Sequence, residues 1–340
     1  MKRALSHEAL PSPAKTAYDQ VAFALERGQT TMDWEIFCHQ DPLLILQAVT
    51  GDNPSLIWFN HCAFRRQTSF LGGSRIFLSD VLPVGRREKM TRELDMAVGR
   101  VLAAIEQENP LTDYDRLSCL YEYLQSTVSY DEETLHRARS QDSTGLNLSH
   151  NAYGALVNGL AVCDGIAAAL ALVAQAMGYA ATVVHGSAIR DGLTEDHAWT
   201  MVRAGGQCYH LDLTWDLGKG RELGVCGYDY FCLDDGSMAI DHQWPAGIVP
   251  RCSATTLSWF HHNRCYANNL TQVGEILERY ARSKTTTIRL RLADGVAVPG
   301  EEGMTLCRML TDALGRAGRA VPVRYIWNPH IRCLTARLGP

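Results

Sequence analysis

Three short stretches hold residue types that do chemistry together. The first is Leu160-Ala-Val-Cys-Asp-Gly165, which runs into an alanine-rich apolar segment ending at Gly178. A break near Gly159 in the helical stretch 155–177 puts Cys163 at or just before a helix N-terminus. Unsatisfied backbone N–H groups and the helix dipole there favour a thiolate, a nucleophile at neutral pH. The other two stretches are Asp196-His-Ala-Trp199 and Tyr209-His-Leu-Asp-Leu-Thr-Trp-Asp216. Between them Ala204-Gly-Gly-Gln207 is a two-residue hairpin signal. With Gly205-Gly206 as the turn, Ala204 pairs with Gln207, Trp199 faces Asp212 and His197 faces Thr214. His197 and Asp212 then become diagonal neighbours on one sheet face, about 7–8 Å apart between Cα atoms. A histidine oriented by a carboxylate takes the proton of a thiol and gives it to a leaving amine.

The same register sorts the remaining side chains of the hairpin. His197, Trp199, Met201 and Arg203 share a face with Cys208, His210, Asp212 and Thr214. Ala198, Thr200 and Val202 share the other with Tyr209, Leu211 and Leu213, a core face. A slip of one residue would bury His197 and expose the leucines, so the pairing is well specified. His210 is read as a residue beside the site or at the surface. Trp199 and Trp215 are packing residues, Trp199 also walling the cleft, and Asp241-His242 is read as a local structural hydrogen bond.

The elements that must position these groups follow from periodicity and punctuation. Residues 14–28 and 32–49 read as helices with Gly28 between them, and 55–81 as strand-rich with a turn at Gly72-Gly73. A helix spans 86–107, and Thr112 with Asp115 starts another whose buried face is Leu117, Leu120, Tyr121, Tyr123 and Leu124. Arg137–Ser149 and Gly218–Tyr228 read as loops. From Leu270 the order is helix to about Arg282, strand 286–292, helix 302–314 and strands 321–327 and 331–338.

Composition removes other readings. A chain of 340 residues with 46% hydrophobic and 20% charged residues builds a sizeable core and excludes wholesale disorder. The longest apolar run, Ile166–Tyr179, is shorter than the ~20 residues a bilayer requires, and no apolar leader opens the chain, so a cytoplasmic location without membrane contact is expected. The eleven cysteines include no pair three residues apart, which argues against zinc or a redox pair, and their odd number argues against a disulfide framework. His261-His262 near Cys265 lacks a fourth ligand, and no phosphate-binding glycine loop occurs, so neither metal nor cofactor is expected. Residues 279–340 carry eleven Lys or Arg against four acids, a net +7 that leaves −12 for the rest. These cations are scattered rather than clustered; they are read as solvated faces meeting the acidic body, with a protein partner as the alternative and no nucleic acid.

Asn151-Ala-Tyr-Gly-Ala-Leu-Val, Ala161-Val-Cys-Asp-Gly165, His197-Ala-Trp199 and Leu211-Asp-Leu-Thr-Trp-Asp216 together resemble the transglutaminase-like superfamily of papain-like thiol enzymes. Tyr230-Phe231 and Asp241-His-Gln-Trp244 resemble the segment after the core in bacterial members. The likeness covers about 112–250 and fades outside it. It implies Cys163 as nucleophile, His197 as base and acid, and Asp212 as orienter, with Asn151 and Tyr153 as candidates for the side chain that joins the cysteine N–H in an oxyanion site. Ile166 stands where members carry an aromatic residue, and Thr200 where asparagine is common.

The resulting expectation is an α+β fold with a papain-like, transglutaminase-like core, a Cys-bearing helix packed on an antiparallel sheet. The expected divisions are an N-terminal helical and β region (1–111), the catalytic core (112–260) and a small βαββ unit (270–340). The expected activity is acyl transfer on peptide or protein amides through a Cys163 thioester, as a peptidase, amidase or transglutaminase. Hydrolysis is favoured, because excluding water from a thioester needs a tunnel that the sequence does not reveal. The alternative is a protein-binding module that keeps the fold without catalysis.

Overall fold

The computed structural model describes residues 4–34, 41–69, 73–139, 147–190 and 192–339. It is an α+β structure divided into two compact units, Met1–Thr214 with His242–Ser253 and Trp215–Asp241 with Ala254–Pro340.

In the first unit, helices α1 (Leu5–Ala9), α2 (Ser12–Glu26) and α3 (Pro42–Asp52) gather round one buried carboxylate. Asp52 accepts the Ser6 and His7 N–H groups, each at 3.1 Å, and the Tyr18 hydroxyl at 3.0 Å. The helix expected over 32–49 is a strand followed by a later helix. Thr31–Trp34 (β1) alternates exposed and buried, the period of a strand, while α3 begins at Pro42 under an Asp41 cap that accepts the Leu43 N–H. β1 pairs with β3 (Ser74–Leu78), which pairs with β2 (Phe64–Thr68), all antiparallel. The Gly72 half of the expected turn lies outside the described residues.

Helix α4 (Val84–Gln107) precedes α5 (Asp113–Thr127), which opens on a reciprocal cap: Thr112 Oγ1 accepts the Asp115 N–H and Asp115 accepts the Thr112 N–H. β4 (Ser129–Tyr130) and β5 (Leu160–Ala161) form a two-residue parallel pair, and α6 (Glu132–Arg139) comes directly after β4. The loop expected from Arg137 lies mostly outside the described residues. Helix α7 (Cys163–Ala176) is buried continuously from Gly165 to Ala174, the mark of a central helix with no solvent face. It packs on the antiparallel sheet β8-β7-β6-β9, formed by β6 (Ala180–Arg190), β7 (Leu193–Ala204), β8 (Gln207–Leu211) and β9 (His242–Gln243). Thr200 on β7 donates to the Ala167 carbonyl of α7 at 3.0 Å, so the Ala198–Thr200–Val202 face is the one that meets the helix.

The hairpin register is Ala204↔Gln207 through Thr200↔Leu211, as the glycine pair implied. The strand ends sooner than expected. β8 stops at Leu211 and helix α8 (Leu213–Leu223) begins two residues on, taking in part of the expected 218–228 loop. The opposite sheet face is not polar and open either. Trp199, Met201 and His210 are all buried, and Thr182 of β6 bonds Ser6 of α1 on that face.

In the second unit a short helix α9 (Asp235–Met238) and α10 (Trp259–His262) precede a sheet of order β10-β11-β13-β12. Its strands are β10 (Tyr266–Ala267), β11 (Thr287–Leu292), β12 (Val323–Asn328) and β13 (Cys333–Leu338). Helices α11 (Leu270–Arg282) and α12 (Glu302–Arg316) bury amphipathic faces that include Val273, Leu277, Leu306 and Leu310. The arginines here do not simply face solvent. Arg319 donates to the Ala281 and Ser283 carbonyls, Arg337 to those of Leu223 and Gly224, and Arg289 to Cys226. Five N–H donors on a planar fork suit an arginine to that task, tying several backbone carbonyls at once.

Candidate active site

The nucleophile candidate sits where main-chain geometry interrupts a helix. Gly154–Asn158 forms one π-helical turn, and Gly159 ends it with φ +69°, a left-handed conformation natural to glycine. β5 and the extended Val162 come next, and α7 starts at Cys163, so the Cys163 N–H belongs to the first helical turn and has no acceptor within the helix. Asp131 braces this start: it accepts Ser149 Oγ at 2.5 Å and Thr134 Oγ1 at 2.7 Å, while its N–H donates to Ala161 O. Ser149 O accepts the Val162 N–H, and any Cβ at Gly165 would strike Ser149 O, which shows how closely the 147–151 segment lies on the first turn of α7.

His197 on β7 and Asp212 just past β8 meet as a buried pair, with Nε2 to Oδ2 at 2.7 Å. Asp212 therefore takes Nε2, which leaves Nδ1 as the ring's second nitrogen. The Asp212 carbonyl accepts the buried Tyr121 hydroxyl of α5 at 2.9 Å, which fixes the chain where strand gives way to helix. Burial disfavours the His197 imidazolium, but the facing Asp212 carboxylate and Cys163 outweigh it and hold the group up at about 9. Burial likewise opposes the Asp212 carboxylate, and His197 and His242 hold it well below the usual range.

A thiol at a helix start, with a histidine and carboxylate delivered by two adjoining strands, falls within residues 102–213, which match the family model of the transglutaminase-like superfamily. That segment is similar to the transglutaminase-like superfamily. Two solved structures are distant likenesses. One is a TGase with 18% identity and a TM-score of 0.31, over 44% of this chain and 43% of that one. The other, a candidate cysteine protease from Cytophaga hutchinsonii, has 12% identity and a TM-score of 0.28, over 44% of this chain and 61% of that one. The chain thus spans less than two thirds of either neighbour. No curated protein matches it.

The other residues singled out around this site take distinct positions. Asn151 comes after the Leu148–His150 turn; its Oδ1 accepts the Tyr153 N–H at 3.0 Å, and its Nδ2 is buried without a hydrogen-bond partner among the described residues. Tyr153 turns its hydroxyl to Glu93 of α4, at 2.7 Å. Trp199 is 1% exposed, so it backs His197 rather than walling an open cleft, and its Nε1 donates to Nδ1 of the fully buried His210 at 3.0 Å. His210 therefore supports a tryptophan in the interior and does not reach the surface. Asp241 accepts the Tyr230 hydroxyl at 2.6 Å, and His242 reaches beyond its local neighbours to Asp212.

Three features escape a reading of the sequence. His242 Nε2 is 3.1 Å from Asp212 Oδ2, the oxygen His197 uses. His150 Nδ1 pairs with Asp164, the residue after Cys163, at 2.8 Å. Finally, His61 and His185 stack edge to face, 4.9 Å between centroids, and burial together with the His61 charge pushes His185 down to about 3. Only Asp164 carries a signal, by its place in the first turn of the helix. The ligand atoms of His197, Asp212 and His242 lie within 4.8 Å of one another, a spacing shared by hydrogen-bonded clusters and metal sites.

Proposed function

We propose that the protein is a cysteine-dependent acyl-transfer enzyme acting on peptide or protein amides. The supporting observation is that the buried imidazole of His197 bonds Asp212 at 2.7 Å and is raised by both Asp212 and Cys163, which opens helix α7. In this reading the Cys163 thiolate attacks an amide carbonyl and forms a C–S bond. The negative charge on oxygen is met by the Cys163 N–H and by Asn151 Nδ2, a buried donor with no other partner among the described residues. Of the two side chains considered for that role, Asn151 is favoured, since the Tyr153 hydroxyl is engaged by Glu93. The His197 imidazolium gives its proton to the nitrogen as the C–N bond breaks, and the amine leaves. Neutral His197 then takes a proton from water, whose oxygen attacks the thioester; the acid departs and the thiolate is restored. An amine in place of water gives a new amide. Asp212 stays ionised throughout and keeps the ring in one tautomer. Neither metal nor cofactor takes part.

The test is the pH dependence of Cys163 alkylation, read by site-resolved mass spectrometry in wild type and His197→Ala. Ten other cysteines serve as internal standards, including Cys232, whose thiol burial pushes far up. Fast alkylation of Cys163 well below pH 8, lost without His197, is the expected result. If Cys163 reacts no faster than its neighbours, the catalytic reading fails and a binding module becomes the better account.

A further inference from the structure

We propose that His242 is a positioning residue for this chemistry, its Nε2–H holding the Asp212 oxygen that orients His197. The inference rests on the function proposed above. Asp212 Oδ2 lies 2.7 Å from His197 Nε2 and 3.1 Å from His242 Nε2. A carboxylate held ionised only accepts, so both imidazoles donate to it, and the bond fixes the Nε2–H form of His242. The His242 side chain is 0% exposed, so water does not compete for the contact.

The fold makes room for this reach in a specific way. β9 pairs with β6 through Ser187↔Gln243 and Ala188↔His242, while β7 lies on the other edge of β6 with Gly186↔His197. Position 186 tolerates no side chain: a Cβ there would strike the Gln243 carbonyl and come within 2.9 Å of the Trp199 ring. That close approach lets the His242 ring meet Trp199 edge-on at 5.0 Å and His197 at 5.4 Å between centroids. Trp199 is itself anchored by His210. Two imidazoles, His197 and His242, thus meet one carboxylate oxygen, with Trp199 and His210 packed behind them.

The chemical consequence concerns Asp212 before His197. A buried carboxylate with one donor fewer is less stable as an anion and less firmly held in one orientation. It then supports a protonated His197 less well, and the Cys163 thiolate forms only at higher pH. Among the described residues, the titratable groups facing this centre include Asp212, Cys163 and His242, with Tyr130 facing Cys163, the buried His210 behind Trp199 and the Tyr121 hydroxyl on the Asp212 carbonyl.

The experiment tracks Cys163 alkylation against pH in wild type, His242→Phe and His242→Gln, with iodoacetamide as probe and melting temperatures recorded alongside. Phenylalanine keeps a ring and removes the donor; glutamine returns an N–H near Nε2. The acid limb of the phenylalanine variant is expected to move up by about one pH unit, slowing alkylation at pH 6 about tenfold, with most of that restored by glutamine. A folded phenylalanine variant with the wild-type profile overturns the proposal, as does a folded glutamine variant as impaired as phenylalanine. Should either variant fail to fold, nitrogen NMR of wild-type histidines decides: His242 Nε2 must carry a proton while Asp212 is ionised, and an unprotonated Nε2 refutes the donor role. If wild-type Cys163 shows no advantage over the other thiols, the catalytic reading is what has failed, and the positioning role falls with it.

Discussion

Two histidine–carboxylate pairs flank Cys163, and they are built oppositely. His197 and Asp212 are 8% and 1% exposed; His150 and Asp164 are 41% and 18% exposed. In each the contact is short, 2.7 Å inside and 2.8 Å outside, and in each the imidazole is raised and the carboxylate lowered. Burial works against the charged form in both, and the partner outweighs it. What differs is what else holds the carboxylate. Asp212 has a second imidazole on the same oxygen and a tyrosine on its own carbonyl, whereas Asp164 has the adjoining Gly165 N–H. A short distance therefore does not define a functional pair; enclosure and further donors on the acceptor do.

That contrast can be broken most sharply by removing each carboxylate in turn. Asp212→Ala is expected to lower turnover of a scissile amide about 10³–10⁴-fold, as loss of an orienting carboxylate does elsewhere, while Asp164→Ala changes it only a few-fold. Equal losses in the two variants would put the outer pair in the chemistry. The pH dependence of stability comes next. Because His197 is raised to about 9, its protonated form stabilises the fold fully below about pH 6.5, and that contribution, on the order of 3 kcal/mol, is lost as pH climbs toward 9. Denaturant melts at pH 6 and pH 9 are expected to separate more in wild type than in His197→Gln.

Tyr121→Phe removes the brace on the Asp212 carbonyl and is expected to cost about 1 kcal/mol of stability, measured by urea denaturation. Salt gives a smaller but cleaner difference. Between low and molar ionic strength the His150 titration is expected to drift back toward 6.5, with His197 unmoved, as exposed pairs are screened and enclosed ones are not. Chelation marks the bottom of the scale: EDTA leaves Cys163 alkylation unchanged if the cluster of His197, Asp212 and His242 works through hydrogen bonds alone.

Much of this arrangement is legible in the chain because local signals carry it. Gly205-Gly206 set the hairpin register, which alone brings position 197 near 212, and Gly159 marks the break that exposes the start of α7. Where partners are distant, the signal vanishes. His242 reaches Asp212 through a two-residue strand beside β6, and no pattern of apolar residues specifies so short a pairing. The arginines of the second unit read as solvated because their acceptors are backbone carbonyls, identical at every position. Residues 32–34 read wrongly as helix, since a four-residue strand offers too little periodicity to separate it from a helical turn.

The left-handed turn at Gly159 carries a consequence of its own. An L-residue there would face a cost of about 1–2 kcal/mol and crowd the Thr127 carbonyl oxygen 3.2 Å away. The cheaper path for such a chain is to continue right-handed, merging the π turn into α7 and carrying Cys163 from a helix end to a helix interior. Its N–H would then be spent inside the helix and its sulfur would lose the field at the end. The reactivity proposed for position 163 would thus depend on handedness four residues upstream, in a residue that has no side chain to react.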